Sequence, residues 1–110
     1  MITTHVLDTS LGQPAIAMAI VLEIHRTGEW VRLSSGRTDE SGRLVAIGES
    51  VPIGPGVYRL TFDTGSYHRS CDIKPFFPEV QVVFTVRGPS EHLHIPLLIS
   101  PYGYSTYRGS

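Results

Sequence analysis

Large apolar residues recur at every second position along much of this 110-residue chain, the spacing of strands that lay one face on a core. Between Val57 and Thr64, Tyr58, Leu60 and Phe62 share one face and Arg59, Thr61 and Asp63 the other. Between Val80 and Val86, the residues Val80, Val82, Phe84 and Val86 fall together. The alanine-rich run Ala15 to Ile24 invites a helix, but its large residues Ile16, Met18, Ile20, Leu22 and Ile24 alternate strictly. That spacing predicts a strand, with a second face of Ala15, Ala17, Ala19, Val21 and Glu23. The small residues of that face leave room for close approach, either by another sheet's side chains or by another subunit.

Shorter patterns fill the intervals. Thr3 to Asp8 reads as a first strand that sets His5 opposite Thr4 and Val6, closed by a turn over Ser10 to Pro14. Trp30 to Ser34 is a strand, Thr38 to Gly42 a turn rich in Asx and glycine chemistry, and Arg43 to Ala46 a short strand leaving it. A loop through Pro52, Gly54, Pro55 and Gly56 follows. Thr64 to Cys71 predicts one short helix, with Thr64 or Ser66 as its N-cap. Gly88 and Pro89 turn the chain into its last strands. Seven or eight short strands with one helix predict an all-β sandwich, a single domain over residues 1–110 without internal repeats.

Composition narrows the partners. Nine Lys plus Arg against ten Asp plus Glu give a net charge of -1, so neither a nucleic-acid footprint nor a polybasic membrane anchor is present. A small neutral or anionic ligand fits better. The one cysteine, Cys71, permits no internal disulfide and points to a reducing compartment. No charged region followed by an apolar one opens the chain, and the run Ala15 to Leu22 is too short to span a bilayer. The expectation is a soluble, cytoplasmic protein, although an already processed chain would read the same.

Candidate chemistry gathers near the end. In His92-Leu93-His94-Ile95 alternation puts both imidazoles on one face, roughly 6 to 7 Å apart at Cα, and leaves Leu93 and Ile95 to the core. Two histidines on a strand commonly mark only a solvated face. Here the surroundings are apolar and proline-flanked, which favours a shallow site. The tail carries Tyr102, Tyr104, Tyr107 and Arg108 without an acidic or lysine-rich run, and is expected to be held down. Cys71 three residues after His68 has the look of a thiol and base, but that spacing alone does not assign catalysis.

The ending Tyr107-Arg108-Gly109-Ser110, the preceding run from His92-x-His94-Ile95-Pro96-Leu97-Leu98 through Ser100-Pro101-x-Gly103-Tyr104-Ser105-Thr106, and the opening Thr4-His5-Val6-Leu7-Asp8 then Gly12-x-Pro14-Ala15 resemble the 5-hydroxyisourate hydrolases. These are transthyretin-related enzymes of purine catabolism, and the resemblance runs from residue 4 to residue 110. It implies a transthyretin-like sandwich of two four-stranded sheets with one short helix. It also implies a homotetramer, a dimer of dimers with sites at the dimer–dimer interface. By motif, the family's catalytic histidines map to His5 and His94, and its arginine to Arg43 after Thr38-x-x-x-Gly42. His92 and the terminal residues Tyr107, Arg108 and Ser110 are expected on the substrate side of the same pocket.

The implied reaction opens the cyclic amide of 5-hydroxyisourate to 2-oxo-4-hydroxy-4-carboxy-5-ureidoimidazoline, between urate oxidation and a decarboxylation, with no cofactor. A histidine titrating near neutrality suits water activation, and an arginine suits an anionic ring or a developing oxyanion. Ser110 is not read as a nucleophile, since a chain end is a poor place for the fixed base such a serine needs. Three histidines are also what a catalytic zinc would use, but no metal is expected. The alternative is a non-enzymatic transthyretin-like carrier of a small aromatic ligand in an inter-subunit channel. A plain adhesion-like sandwich is a third reading, favoured if these residues lay scattered.

Overall fold

The computed structural model describes residues 1–48, 50–88 and 91–109. In chain order the strands are β1 (Ile2–Asp8), β2 (Gln13–Pro14), β3 (Ala19–Arg26), β4 (Glu29–Arg37), β5 (Arg43–Ile47) and β6 (Gly56–Phe62). The helix α1 (Thr64–Ser70) follows, then β7 (Val80–Val86), β8 (Leu93–Ser100) and β9 (Gly103–Thr106). One sheet runs β4-β3-β6-β7, all antiparallel. In the other, β8 lies parallel to β1 on one edge and antiparallel to β9 on its own far edge. Both β5 and β2 pair with the remaining edge of β1, β5 opposite Ile2 to His5 and β2 opposite Leu7 and Asp8. The expected two-sheet sandwich with one short helix forms, each sheet four strands wide, with two-residue β2 continuing the edge that β5 begins.

The alternation does the sorting. Ile20, Leu22, Tyr58, Leu60 and Phe62 from one sheet meet Ile2, Val6, Leu97 and Ile99 from the other, all at 2% exposure or less. This shared apolar layer is what holds the sheets face to face. The alternating residues of β1 and β8 consequently point away from it.

One expected strand is shorter. The run from Ala15 becomes strand only at Ala19, and Ile16, placed by alternation on one face with Met18 and Ile20, is 54% exposed while Ala15 is fully buried. Here the chain leaves β2 for the opposite sheet, and Ala17 adopts a left-handed φ of 60° that breaks the period. Thr38, read as the first residue of a turn, is buried at this crossing. Its hydroxyl accepts from Met18 N at 2.9 Å and donates to Ala15 O at 2.7 Å, while its backbone bonds Met18 and Ala17. A polar latch of this kind leaves no trace in hydrophobic periodicity.

The helix falls where expected, but its N-cap is Asp63, whose Oδ1 accepts from Ser66 N at 3.1 Å. Thr64 is buried with its hydroxyl turned to Phe77 O, and Ser66 already lies inside the first turn. Tyr67 ties α1 to the end of β1 by donating to Asp8 Oδ2 at 2.8 Å. Burial and that carboxylate push the Tyr67 phenol well above its usual range. Burial alone would raise Asp8, but bonds from Ser10, Tyr67 and Leu11 outweigh it and hold the carboxyl below 3.8.

Gly42 closes the turn before β5 at a φ of 79°, and a Cβ there would stand 2.5 Å from Val6 O. Only glycine admits both the conformation and the approach. Leu60, fully buried at the centre of the β4-β3-β6-β7 sheet, tests the core: Leu60→Ala is expected to lose about 2–5 kcal/mol in urea denaturation. The slope of unfolding free energy against urea should stay the same.

Candidate active site

Strand register gathers the predicted residues. Across the antiparallel pair His5 stands opposite Arg43 and Thr3 opposite Val45. Across the parallel pair Thr3 stands beside His94 and His5 beside Pro96. Registered partners share a face, and Ile2, Thr4 and Val6 take the core, so Thr3, His5, Arg43, Val45 and His94 all lie on the outer face. Positions 3 and 94 are far apart in sequence, and the β1–β8 pairing alone makes them neighbours.

This face holds a cleft of about 400 Å³ lined by Met1, Thr3, Asp39, Arg43, Val45, His92 and His94 among others. Arg43 and His92 are exposed and His94 is half-buried. His94 Nδ1 lies 2.8 Å from the Thr3 hydroxyl. His5 donates from Nε2 to the Ser41 carbonyl oxygen at 2.8 Å. A carbonyl oxygen carries no hydrogen, so the proton of that bond belongs to His5 Nε2, and in the neutral ring the lone pair belongs to Nδ1.

The tail behaves as expected in being held down, and it does so on the far side of His94. Thr106 donates through its hydroxyl to Pro96 O at 2.7 Å, and Gly109 N donates to His94 O at 2.8 Å. A Cβ on Gly109 would come within 2.6 Å of His94 Cδ2, so the tail backbone passes against the imidazole at a distance only glycine allows. Tyr107 and Arg108 line a second, more apolar hollow of about 220 Å³ with Val82, Phe84, Leu93 and Ile95. His94 borders both spaces. Arg108 reaches Glu91 at 3.6 Å from a largely exposed position, and Ser110 lies outside the described residues.

The structure therefore places Arg43, His92 and His94 on one cleft, sets His5 beside Arg43, and puts Tyr107 and Arg108 across His94 from them. His68 and Cys71 stay on and after α1, away from the residues that line it. Sequence reasoning missed Thr3, Asp39 and the Ser41 carbonyl. Thr3 was accessible, being two residues from His5 on the same strand face; a backbone carbonyl has no sequence signal. Among the described residues no group of three or more His, Cys, Asp or Glu is arranged to hold a metal ion. No helix among them is long and apolar enough to cross a membrane.

Electrostatics give His94 a direction. Burial pushes its pKa below 6.5, and the nearby positive groups His5, Arg43 and His92 push the same way. Its neutral form is therefore held further into mildly acidic pH than for a free imidazole. A neutral base beside a permanent guanidinium is equipped to take a proton from water while the cation holds developing negative charge.

Fold and cleft together define a transthyretin-like β-sandwich carrying a histidine and arginine site on an outer sheet face. The chain matches the Transthyretin model, described as the HIUase/Transthyretin family, over residues 2–109, and it belongs to that family. It is 44% identical to a 5-hydroxyisourate hydrolase of Salmonella dublin over 110 residues, covering 100% of this chain and 81% of the relative. The structure of Klebsiella pneumoniae 5-hydroxyisourate hydrolase superposes with a TM-score of 0.84 at 36% identity, covering 99% of this chain and 98% of that one. Transthyretin from Sparus aurata superposes with a TM-score of 0.90 at 31% identity, covering 98% and 95%.

Followed by NMR, His94 is expected to titrate below 6.5, and Arg43→Ala to move that midpoint upward by removing a neighbouring positive charge. An unchanged midpoint in Arg43→Ala would separate the two groups electrostatically.

Proposed function

We propose that this protein is a 5-hydroxyisourate hydrolase. The observation that carries the reading is the register that puts His94 and Arg43 on one cleft with His5 beside them, in a chain whose relatives bear that name. Water attacks the ring carbonyl, losing a proton to the His5 and His94 pair. The carbon–nitrogen bond of the cyclic amide then breaks, and the released nitrogen takes a proton back. Arg43 holds the anionic ring or the oxyanion. His92 lies within reach of the substrate, Tyr107 and Arg108 close its far side, and Ser110 is carried as a substrate-binding residue by the family motif alone. No cofactor enters the scheme.

The functional unit we propose is one domain over residues 1–110, working in the cytoplasm as a homotetramer in which a dimer–dimer interface closes each cleft. Support comes from exposed apolar groups around the face, Val45 at 54% exposure beside Arg43 among them. The carrier reading draws on the close superposition with a transthyretin. Backbone likeness is shared by both branches of the family, so the ionisable residues on the cleft decide between them, and they favour hydrolysis.

The test is an ultraviolet assay on freshly generated 5-hydroxyisourate. The full chain is expected to accelerate its decay, and His94→Ala and Arg43→Ala each to lose about 100-fold or more in kcat/KM without change in assembly size. Truncation before Tyr107 should abolish the rate at unchanged size. Decay no faster than without protein would sink the enzyme reading and turn attention to ligand binding.

A further inference from the structure

We propose that Asp39 is a positioning residue, whose carboxylate fixes the Ser41 carbonyl against His5 and thereby selects the His5 tautomer and sets the start of the Arg43 strand. The proposal rests on the hydrolase reading for its kinetic consequence, though its structural arm stands without it.

One oxygen, Asp39 Oδ1, accepts three hydrogen bonds: Ser41 N at 2.9 Å, Ser41 Oγ at 2.7 Å and Arg43 N at 2.9 Å. The backbone closes the same ring of atoms, Asp39 N donating to Arg43 O at 2.9 Å and Gly42 N to Asp39 O at 2.9 Å. Gly42 O in turn accepts from Val6 N at 2.8 Å, which fastens the turn to the residue after His5. The peptide whose carbonyl meets His5 Nε2 thus belongs to a residue held at both its amide and its hydroxyl by one carboxylate. An acceptor so fixed decides which imidazole nitrogen keeps its hydrogen.

Asp39 carries this load from an exposed position and contributes nothing to the core. The Arg43 amide, the Ser41 hydroxyl and amide, and the Arg43 charge together hold its carboxyl below 3.8, against a small opposing effect of desolvation. It therefore stays ionised further into acid than a free aspartate, and the turn keeps its acceptor there. The charge itself is not what the geometry uses. Any acceptor oxygen at Oδ1 serves the same three donors, which separates positioning from direct action on a substrate.

Asp39→Asn and Asp39→Ala make that separation. In protein labelled with ¹⁵N in histidine, the neutral His5 ring is expected as the Nε2–H tautomer in the unaltered protein and in Asp39→Asn. In Asp39→Ala it should become a mixture of both tautomers. With 5-hydroxyisourate, Asp39→Ala is expected to lose roughly 10- to 100-fold in kcat with KM changed by no more than about threefold, while Asp39→Asn stays within about threefold on both. If Asp39→Ala does not fold, Asp39→Leu, close to aspartate in shape and likewise without an acceptor, takes its place under the same measurements.

An unaltered His5 tautomer in Asp39→Ala would overturn the proposal whatever the rates. So would a loss in Asp39→Asn as deep as in Asp39→Ala with the tautomer intact, because the charge and not the turn would then be acting. If the unaltered chain does not hydrolyse 5-hydroxyisourate, the proposed function fails, and the tautomer comparison still decides the role of Asp39.

Discussion

The parallel pairing of β1 with β8 is the constraint on which the site depends. It joins the first strand to one that begins some 90 positions later, seating Ile2 beside Leu93 and running to Asp8 beside Ile99. Closing so long a loop is entropically costly, and the apolar layer between the sheets offsets it, since Ile2, Val6, Leu97 and Ile99 are buried only when these strands adjoin. Burial of alternate residues fixes the register, because a slip of one position would turn either Thr3 and His5 or His94 into the core. The chemistry is thus held in place by the hydrophobic face it does not occupy.

On that outer face the electrostatics run one way. His94 sits among groups that are positive or able to become so, with burial adding to their effect, and it answers by remaining neutral. Asp39 is the carboxylate beside Arg43 in the cleft lining, yet its Oδ1 is committed to three donors of its own turn. That acceptor oxygen is taken up by the turn. Arg43 lines the same cleft and makes no ion pair with Asp39 among the described residues, so its donors are available to an anionic ligand.

Much of this was legible in the sequence, because strand alternation is a local property. The outward face of His92 and His94 and the inward set Tyr58, Leu60 and Phe62 follow from period, and the helix falls where expected although Asp63, not Thr64 or Ser66, caps it. Ala15 to Met18 was misread because the alternation there is genuine in sequence while the chain is crossing between sheets, held by Thr38 some 20 positions away. Thr3 beside His94 and Ser41 beside His5 were hidden for a related reason. Register between distant strands and the direction of a carbonyl are tertiary facts, and no residue type announces them. The meeting of His5, Arg43 and His94 came from family resemblance rather than from periodicity.

The sandwich itself is indifferent to what it does. A transthyretin superposes on it with a TM-score of 0.90 and a hydrolase with 0.84, at comparable identity, so backbone likeness carries no preference between the two. The core residues, shared in kind by any such sandwich, carry none either. A preference has to come from the chemistry on a face that the fold leaves free: an imidazole whose neutral form is favoured by burial and its neighbours, a second whose hydrogen is placed by a carbonyl, and a cation on the edge strand. His5 and His94 hold local bonds to Ser41 O and Thr3 but take no part in the apolar core, and a set of ionisable groups brought together at the expense of mutual repulsion is better explained by a reaction than by packing.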